Sequence, residues 1–211
     1  MSQWFTSRYT TVLASVYLYN EYRGYTQLER LLGALREKYP SEHEFIAAVE
    51  KHTDDERKHY LMFRHYFESR GEMPLEVRSS SGYIDRMVSV IFAADIDELN
   101  TKEVVADDKK FFRLCRLIMI TEFRGMKQVE TILKSRLIRG NGELQRIFKI
   151  IERDEPTHWQ PYQKWLRTHG SHEVTFGERI TDLITHYSLM MVKLPLLFSN
   201  PFGKRRKEFP A

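Results

Sequence analysis

Two glutamate–histidine motifs in the chain have the spacing of metal ligands. Both read Asp-Glu-x-x-His, and they place Glu56 three residues before His59 and Glu155 three residues before His158. Residues three positions apart lie on one face of a helix, so each motif can offer a carboxylate and an imidazole to the same ion. Oxygen ligands combined with imidazole suit iron or manganese, and zinc accepts them as well. The repeated motif therefore predicts a metal site.

A Glu-aromatic-Arg-Gly motif precedes each of these pairs at a matched distance. It begins at Glu21 in the first half of the chain and at Glu122 in the second. The separation is 35 residues from Glu21 to Glu56 and 33 from Glu122 to Glu155, which indicates an internal duplication of a helix pair. Antiparallel packing would bring these groups to one level of a core, where four carboxylates without cations would be very unfavourable. We therefore predict two metal ions, bound by Glu21, Glu56, His59, Glu122, Glu155 and His158.

Two aspartates and two glycines recur beside the predicted ligands. Asp55 and Asp154 each precede a motif glutamate, and each is expected to accept a hydrogen bond from the histidine of the opposite motif and so to fix its tautomer. Gly24 and Gly125 each lie three residues after a ligand glutamate. Two interpretations of these glycines stay open: a free space for dioxygen or substrate beside the metals, or close packing of two helices.

Three further residues near the motifs have an expected role. Tyr25, four residues after Glu21, is the candidate for a catalytic tyrosine that carries a radical or relays electrons, among aromatic residues that mostly form the core. Met126, four residues after Glu122, is expected to line the same cavity as the two glycines. Pro156 stands within a helical segment and is expected to kink it at the metal site, because proline has no N–H to donate.

Helical periodicity and the positions of proline and glycine predict the elements that carry these motifs. The capping-box spacing of Ser41 and Glu44 predicts the start of the second helix. A long crossover that includes a helical segment joins two helix pairs, and a last amphipathic helix is expected to end before Pro195. The predicted helices span residues 4–38, 41–70, 83–99, 107–139, 143–169 and 175–193.

Composition limits the class of protein. The chain has 211 residues with few prolines and glycines, which fits one all-α domain, and its single cysteine, Cys115, excludes an intrachain disulfide or a cysteine-built metal cluster. No secretory signal and no long apolar run is visible, so a cytoplasmic location is expected. The net charge is +4, but the basic residues are interspersed with acids and no nucleic-acid-binding module stands out. Nucleic acid is therefore not an expected partner.

The C-terminal part of the chain differs from the rest. We expect a bundle with the metal site over residues 1–170, followed by an apolar helix and a basic tail over residues 171–211. The apolar stretch at 184–202 has three open interpretations: a cap on the bundle, a homodimer interface, or a peripheral contact with a lipid surface. The basic cluster at 203–208 is expected to be a solvated tail, with phosphate or lipid contact as the alternative.

The repeated motifs resemble those of the ferritin-like di-iron carboxylate proteins, a group that includes rubrerythrins, bacterioferritins and di-iron oxygenases. In that family two helices each contribute a Glu, and two others each contribute a Glu-x-x-His. The resemblance covers roughly residues 8–168 and implies a ferritin-like four-helix bundle with one long crossover, an extra C-terminal helix, and two iron ions or a manganese–iron pair. Gly125 stands where rubrerythrins tend to have a further glutamate, so the subfamily stays unassigned.

The resemblance also implies a reaction. The leading expectation is a di-iron oxidase or monooxygenase that activates dioxygen, oxidises a small hydrophobic organic substrate and draws electrons from an unidentified donor. Three alternatives stay open: a ferroxidase that stores iron in a multimeric cage, a tRNA-modifying hydroxylase, and a non-enzymatic interaction module that metal stabilises without reacting with oxygen.

Overall fold

The computed structural model describes residues 3–171, 173–198 and 204–210, and these are helical over most of their length. An all-α class is therefore confirmed for the described chain. The helices are α1 (Gln3–Lys38), α2 (His43–Glu68), α3 (Tyr83–Phe92), α4 (Thr101–Ala106), α5 (Asp108–Lys134), α6 (Arg136–Arg139), α7 (Gly142–Asp154), α8 (Pro156–Thr168) and α9 (Phe176–Phe198), with a 3₁₀ turn at Ser79–Ser81.

Four long helical segments pack side by side around the centre of the molecule. α1 packs against α2, α5 packs against α7 and α8, and α2 contacts both α7 and α8. Short connections at residues 39–42 and 140–141 reverse the chain within each pair. The crossover from α2 to α5 holds the 3₁₀ turn, α3 and α4.

The core consists of two apolar clusters with a polar layer between them. Leu31 of α1 and Phe45 of α2 belong to one cluster, whereas Leu18 of α1 and Phe63 of α2 belong to the other. α5, α7 and α8 cross the same clusters, because Phe111 lies in the first and Val129 in the second, before and after the motif of α5. Each long segment therefore passes from one apolar cluster to the other and carries its motif at the level between them.

Three predicted helix ends were wrong. The helix predicted over residues 83–99 is α3, which ends at Phe92 because Ala93 adopts a left-handed backbone (φ 52°). α2 begins at His43, and its N-cap Glu42 makes no side-chain cap hydrogen bond, so the capping box at Ser41 is absent. Glu42 N–H instead donates to the carbonyl of Tyr39 over 3.0 Å, and this turn leaves Ser41 outside the helix.

α9 continues through Pro195. Proline has no N–H for the carbonyl of Met191, four residues earlier. Met191 is exposed, so water can hydrogen-bond to this carbonyl instead.

Two long helices are interrupted where one continuous helix was predicted. Ser135 has an extended backbone (ψ 133°) and its hydroxyl accepts from Leu137 N–H, so it ends α5 and caps α6. The fourth segment divides at Glu155, after which Pro156 opens α8 as its first residue. Proline is well placed there because its missing N–H has no acceptor to lose at a helix start. The prediction of an irregularity at Pro156 is confirmed.

A buried ion pair fixes the crossover against α1. Arg23 of α1 donates to Asp85 of α3 over 2.7 Å and to Asp97 over 2.8 Å, and Tyr19 donates to Asp85 over 3.1 Å. The second half repeats the pattern, since Arg124 of α5 pairs with Asp182 of α9. The arginine of each repeated motif therefore pairs with an aspartate of a further helix, α3 in the first half and α9 in the second.

The side chains of the basic cluster are mostly exposed, as predicted for a solvated tail, but its main chain is fixed against another segment. Residues 204–206 run antiparallel to residues 74–76, with an isolated bridge between Leu75 and Arg205. Glu76 N–H donates to the carbonyl of Lys204 over 2.7 Å, and the hydroxyl of Tyr60 donates to the carbonyl of Pro210. These main-chain contacts join segments far apart in sequence, which a charge pattern alone cannot indicate.

The apolar C-terminal helix is only partly covered. α9 packs against α3, α1 and α5 and buries Leu189. Large apolar side chains nevertheless remain exposed along it, among them Phe176, Ile184 and Met191. The choice between a cap, a homodimer interface and a lipid contact therefore stays open. Among the residues that the structure describes, no helix combines the length and apolar character needed to cross a membrane.

Candidate metal centre

The polar layer brings all six predicted ligands into one buried region. The fully buried imidazoles of His59 and His158 lie at its centre, and the glutamates around them are largely buried. Each ligand residue reaches the layer because its motif lies on its helix between the residues that enter the two apolar clusters of the core. The predicted residues are therefore brought together; that they bind metal stays a prediction.

One group of potential ligands is formed by α1 and α2. Oxygen or nitrogen atoms of Glu21, Glu56 and His59 lie within 4.8 Å of one another. His59 Nδ1 is 3.4 Å from Glu21 Oε2 and 3.8 Å from Glu56 Oε1. This spacing would let one ion bind two carboxylates and one imidazole.

A second group joins α2 to α5 and α8. It contains Glu56, Glu122, His158 and a residue that sequence reasoning missed, His52, again with all ligand atoms within 4.8 Å of one another. His158 Nδ1 is 3.4 Å from Glu56 Oε1 and 3.7 Å from Glu122 Oε2. Glu56 belongs to both groups, so its carboxylate is positioned to bridge two ions.

Glu155 lies beside these groups without belonging to either. Its Oε2 is 3.8 Å from His158 Nδ1 and has no hydrogen-bond partner. Its backbone is helical although it stands at the junction of α7 and α8, and its N–H donates to the carbonyl of Ile151 over 2.9 Å. Glu155 therefore stands at the junction of α7 and α8, one residue before the proline that opens α8.

Several buried polar atoms of the layer have no hydrogen-bond partner. They are His52 Nε2, His59 Nδ1, His158 Nδ1, His158 Nε2 and Glu155 Oε2. A buried polar atom without a partner costs about 1–3 kcal/mol, so unpartnered atoms concentrated in one place are unfavourable unless something else satisfies them. Four carboxylates and three imidazoles form a donor set that fits two iron, manganese or zinc ions. The residues present therefore fit the metal pair that the motifs predict.

The outer nitrogens of the motif histidines face the predicted aspartates. His59 Nε2 is 3.2 Å from Asp154 Oδ2, and His158 Nε2 is 3.5 Å from Asp55 Oδ2. Each aspartate thus faces the histidine of the opposite motif, as predicted. Lys58 contacts both aspartates, with 2.7 Å to Asp154. His59 Nε2 lies within hydrogen-bond distance of its aspartate, whereas His158 Nε2 only faces Asp55 without a hydrogen bond; in both rings Nδ1 is the nitrogen nearest the glutamates of the layer.

The two glycines allow the approach of carboxylates. A Cβ at Gly24 would lie 2.3 Å from Glu56 Oε2, and a Cβ at Gly125 would lie 3.3 Å from Glu155 Oε1. The space beside each glycine is therefore filled by the glutamate of the partner helix. This contradicts the interpretation of a free space and fits the close packing of two helices, with a glutamate of the partner helix against each glycine.

Gly24→Ala should separate stability from metal binding. An alanine removes the cost of about 1 kcal/mol that glycine imposes inside a helix, but it must push the Glu56 carboxylate away from its position. We expect the metal-free variant to unfold at the same temperature as the wild type or above it, and to bind metal at least about tenfold more weakly. Gly125→Ala is the matched control. A Cβ there would lie 3.3 Å from Glu155 Oε1, and this carboxylate needs to move by only a few tenths of an ångström. Equal metal affinity in all three proteins would contradict this prediction.

On α1, the tyrosine that interacts with the charges of the layer is Tyr17 and not the predicted Tyr25. Tyr25 lies among Tyr22 and Tyr60, with ring centroids 5.7 and 5.5 Å away, and Arg57 is over its ring. Tyr17 is buried, and the charges of the layer add to burial in raising the pKa of its hydroxyl. A catalytic role for Tyr25 stays a prediction, whereas Tyr17 is the α1 tyrosine that feels the charges of the layer.

Burial and mutual repulsion shift the pKa values of the layer. Burial, with the charge of Glu21, raises the pKa of Glu56 to about 7, and burial with the neighbouring carboxylates raises that of Glu155. Burial opposes charge on His59 and His158, but the surrounding carboxylates outweigh it and raise their pKa values to about 10 and about 9. The metal-free layer therefore holds protons at neutral pH that bound cations would displace.

These shifts set a pH dependence for the metal-free protein. The pKa values of His59, His158 and Glu56 are higher in the folded protein than in the unfolded chain. Their contribution to stability is therefore full at a pH below the unfolded-chain pKa values, and it is lost as the pH rises through the folded-state pKa values. Burial lowers the pKa of His52, which acts in the opposite direction. We expect the melting temperature in chelator to fall between about pH 6 and about pH 8, and metal affinity to rise over the same interval. A melting temperature that rises would contradict this.

A cavity of about 470 Å³ lies on the outer side of α5 and α8. Its walls include Phe123 and Trp159, each one residue after a predicted ligand, and the basic side chains of Arg124 and Arg179. Half-buried Met126 is not among its lining residues, and its predicted role at a cavity by the metals stays untested.

Comparisons of this chain with protein-family models, with curated proteins and with solved structures gave no match. The arguments for its function therefore rest on its own residues.

Proposed function

We propose that the chain is a ferritin-like di-iron carboxylate protein that activates dioxygen to oxidise an organic substrate. The observation that carries this proposal is the buried layer, in which the six motif residues from the long helical segments converge on unpartnered nitrogen and oxygen atoms. A purely structural layer of this kind would leave several polar groups unsatisfied in the core. The internal duplication and the long crossover between the helix pairs support the ferritin-like arrangement.

In this proposal the metals would be held by the two ligand groups and bridged by Glu56. Two bound ferrous ions would supply electrons and open coordination positions for the reduction of dioxygen. Asp154 orients His59 by a hydrogen bond, and Asp55 lies 3.5 Å from Nε2 of His158, so that each ring would offer Nδ1 to the layer. The apolar clusters on either side, with Phe63 among the fully buried residues, exclude water from the centre.

The outer cavity supports an organic substrate with an apolar body. Phe123 and Trp159 give it an aromatic wall, and Lys127 and Arg179 add positive charge, whereas Arg124 is paired with Asp182 of the same lining. We propose that the substrate or the electron donor approaches the centre from this side, because the backbone positions next to Phe123 and Trp159 carry Glu122 and His158.

The remaining alternatives make different demands on the same centre. A ferroxidase that stores iron would take up iron well beyond the capacity of one layer, and the exposed apolar side chains of α9 offer a surface for the subunit contacts that a cage needs. An interaction module would bind metal without oxygen chemistry. A tRNA-modifying hydroxylase would need a basic surface that binds RNA.

The experiment that tests the proposal is loading with ferrous iron under anaerobic conditions, followed by oxygen. We expect two irons per chain and consumption of oxygen in a fixed ratio to that iron. Continued uptake of iron would favour storage, and bound iron that does not react with oxygen would favour the interaction module. Absence of bound iron would contradict the proposal.

A further inference from the structure

We propose that His52 is a seventh metal ligand, which makes the two metal positions chemically unequal. This inference rests on the proposed metal centre and goes beyond the six residues of the repeated motif. His52 lies four residues before Glu56, on the same face of α2. With it, one position has a single imidazole, from His59, and the other has two, from His52 and His158.

The surroundings of His52 direct one nitrogen at the layer. The side chain is 1% exposed, and Nε2 has no hydrogen-bond partner. Nε2 lies 3.7 Å from Glu122 Oε1 and 3.9 Å from Glu56 Oε1, and the ring stacks on His158 with centroids 4.1 Å apart. A histidine that served only to pack the core would not need a free nitrogen directed at two carboxylates.

The other nitrogen of His52 has the partner that a metal-binding imidazole requires. Nδ1 is 3.3 Å from the hydroxyl oxygen of Tyr162, which is fully buried. When Nδ1 carries the ring proton and donates it to Tyr162, the lone pair of Nε2 faces the carboxylates. Metal-binding histidines commonly fix their tautomer by such a contact of the second nitrogen.

The internal duplication provides a reference for this pair. The position equivalent to His52 in the second half, four residues before Glu155, is Ile151, and the position equivalent to Tyr162, four residues after His59, is Phe63. Ile151 and Phe63 are both fully buried in the same apolar cluster. The two halves therefore differ by an apolar pair on one side of the layer and a His–Tyr pair on the other.

Cobalt titration of the metal-free protein tests this inference. The variant His52→Ile with Tyr162→Phe copies the apolar pair of the other half and removes both partners of the His52–Tyr162 contact together, so neither is left unpaired. We expect the wild type to bind two Co²⁺ with unequal affinity, and the double variant to bind the tighter one at least about tenfold more weakly. Ile151→Val is the matched control at the equivalent position and should bind both ions as the wild type does.

The visible spectrum of the bound Co²⁺ gives a readout that is independent of activity. Loss of one imidazole should change the ligand-field bands of one ion only. Two bound ions with unchanged affinity and spectrum in the double variant would overturn the role of His52 and leave the two-metal centre standing. A wild type that binds no Co²⁺ at all would overturn both.

Proton NMR of the Co²⁺-loaded wild type keeps the inference testable even if the double variant does not fold. Ring N–H protons of cobalt-bound imidazoles are shifted far outside the ordinary range and disappear in D₂O. We expect three such signals, from His52, His59 and His158. Two signals, from His59 and His158 alone, would overturn the proposal.

Discussion

Glu56→Ala is expected to abolish stable metal binding at both positions. Glu56 belongs to both ligand groups, with Oε1 3.8 Å from His59 Nδ1 and 3.4 Å from His158 Nδ1. Its removal takes a ligand from each ion and the bridge between them, so we expect affinity to fall by more than about 100-fold. Metal per chain after dialysis should drop from two to none.

The metal-free form of the Glu56→Ala protein should still fold. Burial raises the pKa of Glu56, which means that its charged form is unfavourable in the core, and the melting temperature in chelator should not fall at neutral pH. Glu50→Ala, on the same helix, is the control, because that side chain is exposed and pairs only with Arg36 at the surface. Two tightly bound metals in the Glu56→Ala protein would contradict its bridging position.

Arg23→Met is expected to cause the largest loss of stability among the substitutions considered. Arg23 and Asp85 have side chains 10% and 6% exposed, and burial raises the pKa of Asp85 even with the guanidinium beside it. Removal of one partner of a buried pair typically costs 3–5 kcal/mol. We expect about 3 kcal/mol here, which lowers the melting temperature by about 10 °C in a chain of this length.

A second substitution separates the charge effect from lost packing. Arg23→Met with Asp85→Asn removes the unpaired carboxylate and should recover a large part of the lost melting temperature. Arg124→Met is the matched control in the second half, where the arginine is 24% exposed, and should cost only about 1 kcal/mol. Equal losses of melting temperature for Arg23→Met and Arg124→Met would contradict the prediction that burial makes the Arg23–Asp85 pair more important for stability.

The spacing of residues in the sequence predicted the polar layer better than it predicted the helix ends and the C-terminal segment. Helical periodicity places residues three or four positions apart on one face, so the motif residues and the opposing aspartates could be located from the sequence alone. His52 has the same signal, since it lies four residues before Glu56. The repeated motif does not include it, because the second half has Ile151 at that position.

Features that depend on distant contacts could not be predicted. The pairing of residues 204–206 with residues 74–76 joins two segments with no shared pattern. The glycines had a clear position in the sequence, but only the packing of α1 on α2 shows that the space beside Gly24 holds the Glu56 carboxylate. Helix ends followed local turns, as at Ser41 and Ser135, which capping patterns alone did not resolve.

The central claim is that the polar layer binds two metal ions, and anomalous diffraction from crystals grown with Fe²⁺ or Mn²⁺ tests it most directly. The account predicts two anomalous peaks inside the layer. One should lie among Glu21, Glu56 and His59, and the other among Glu56, Glu122, His158 and His52. An empty layer, or peaks confined to acidic groups at the surface, would contradict the claim.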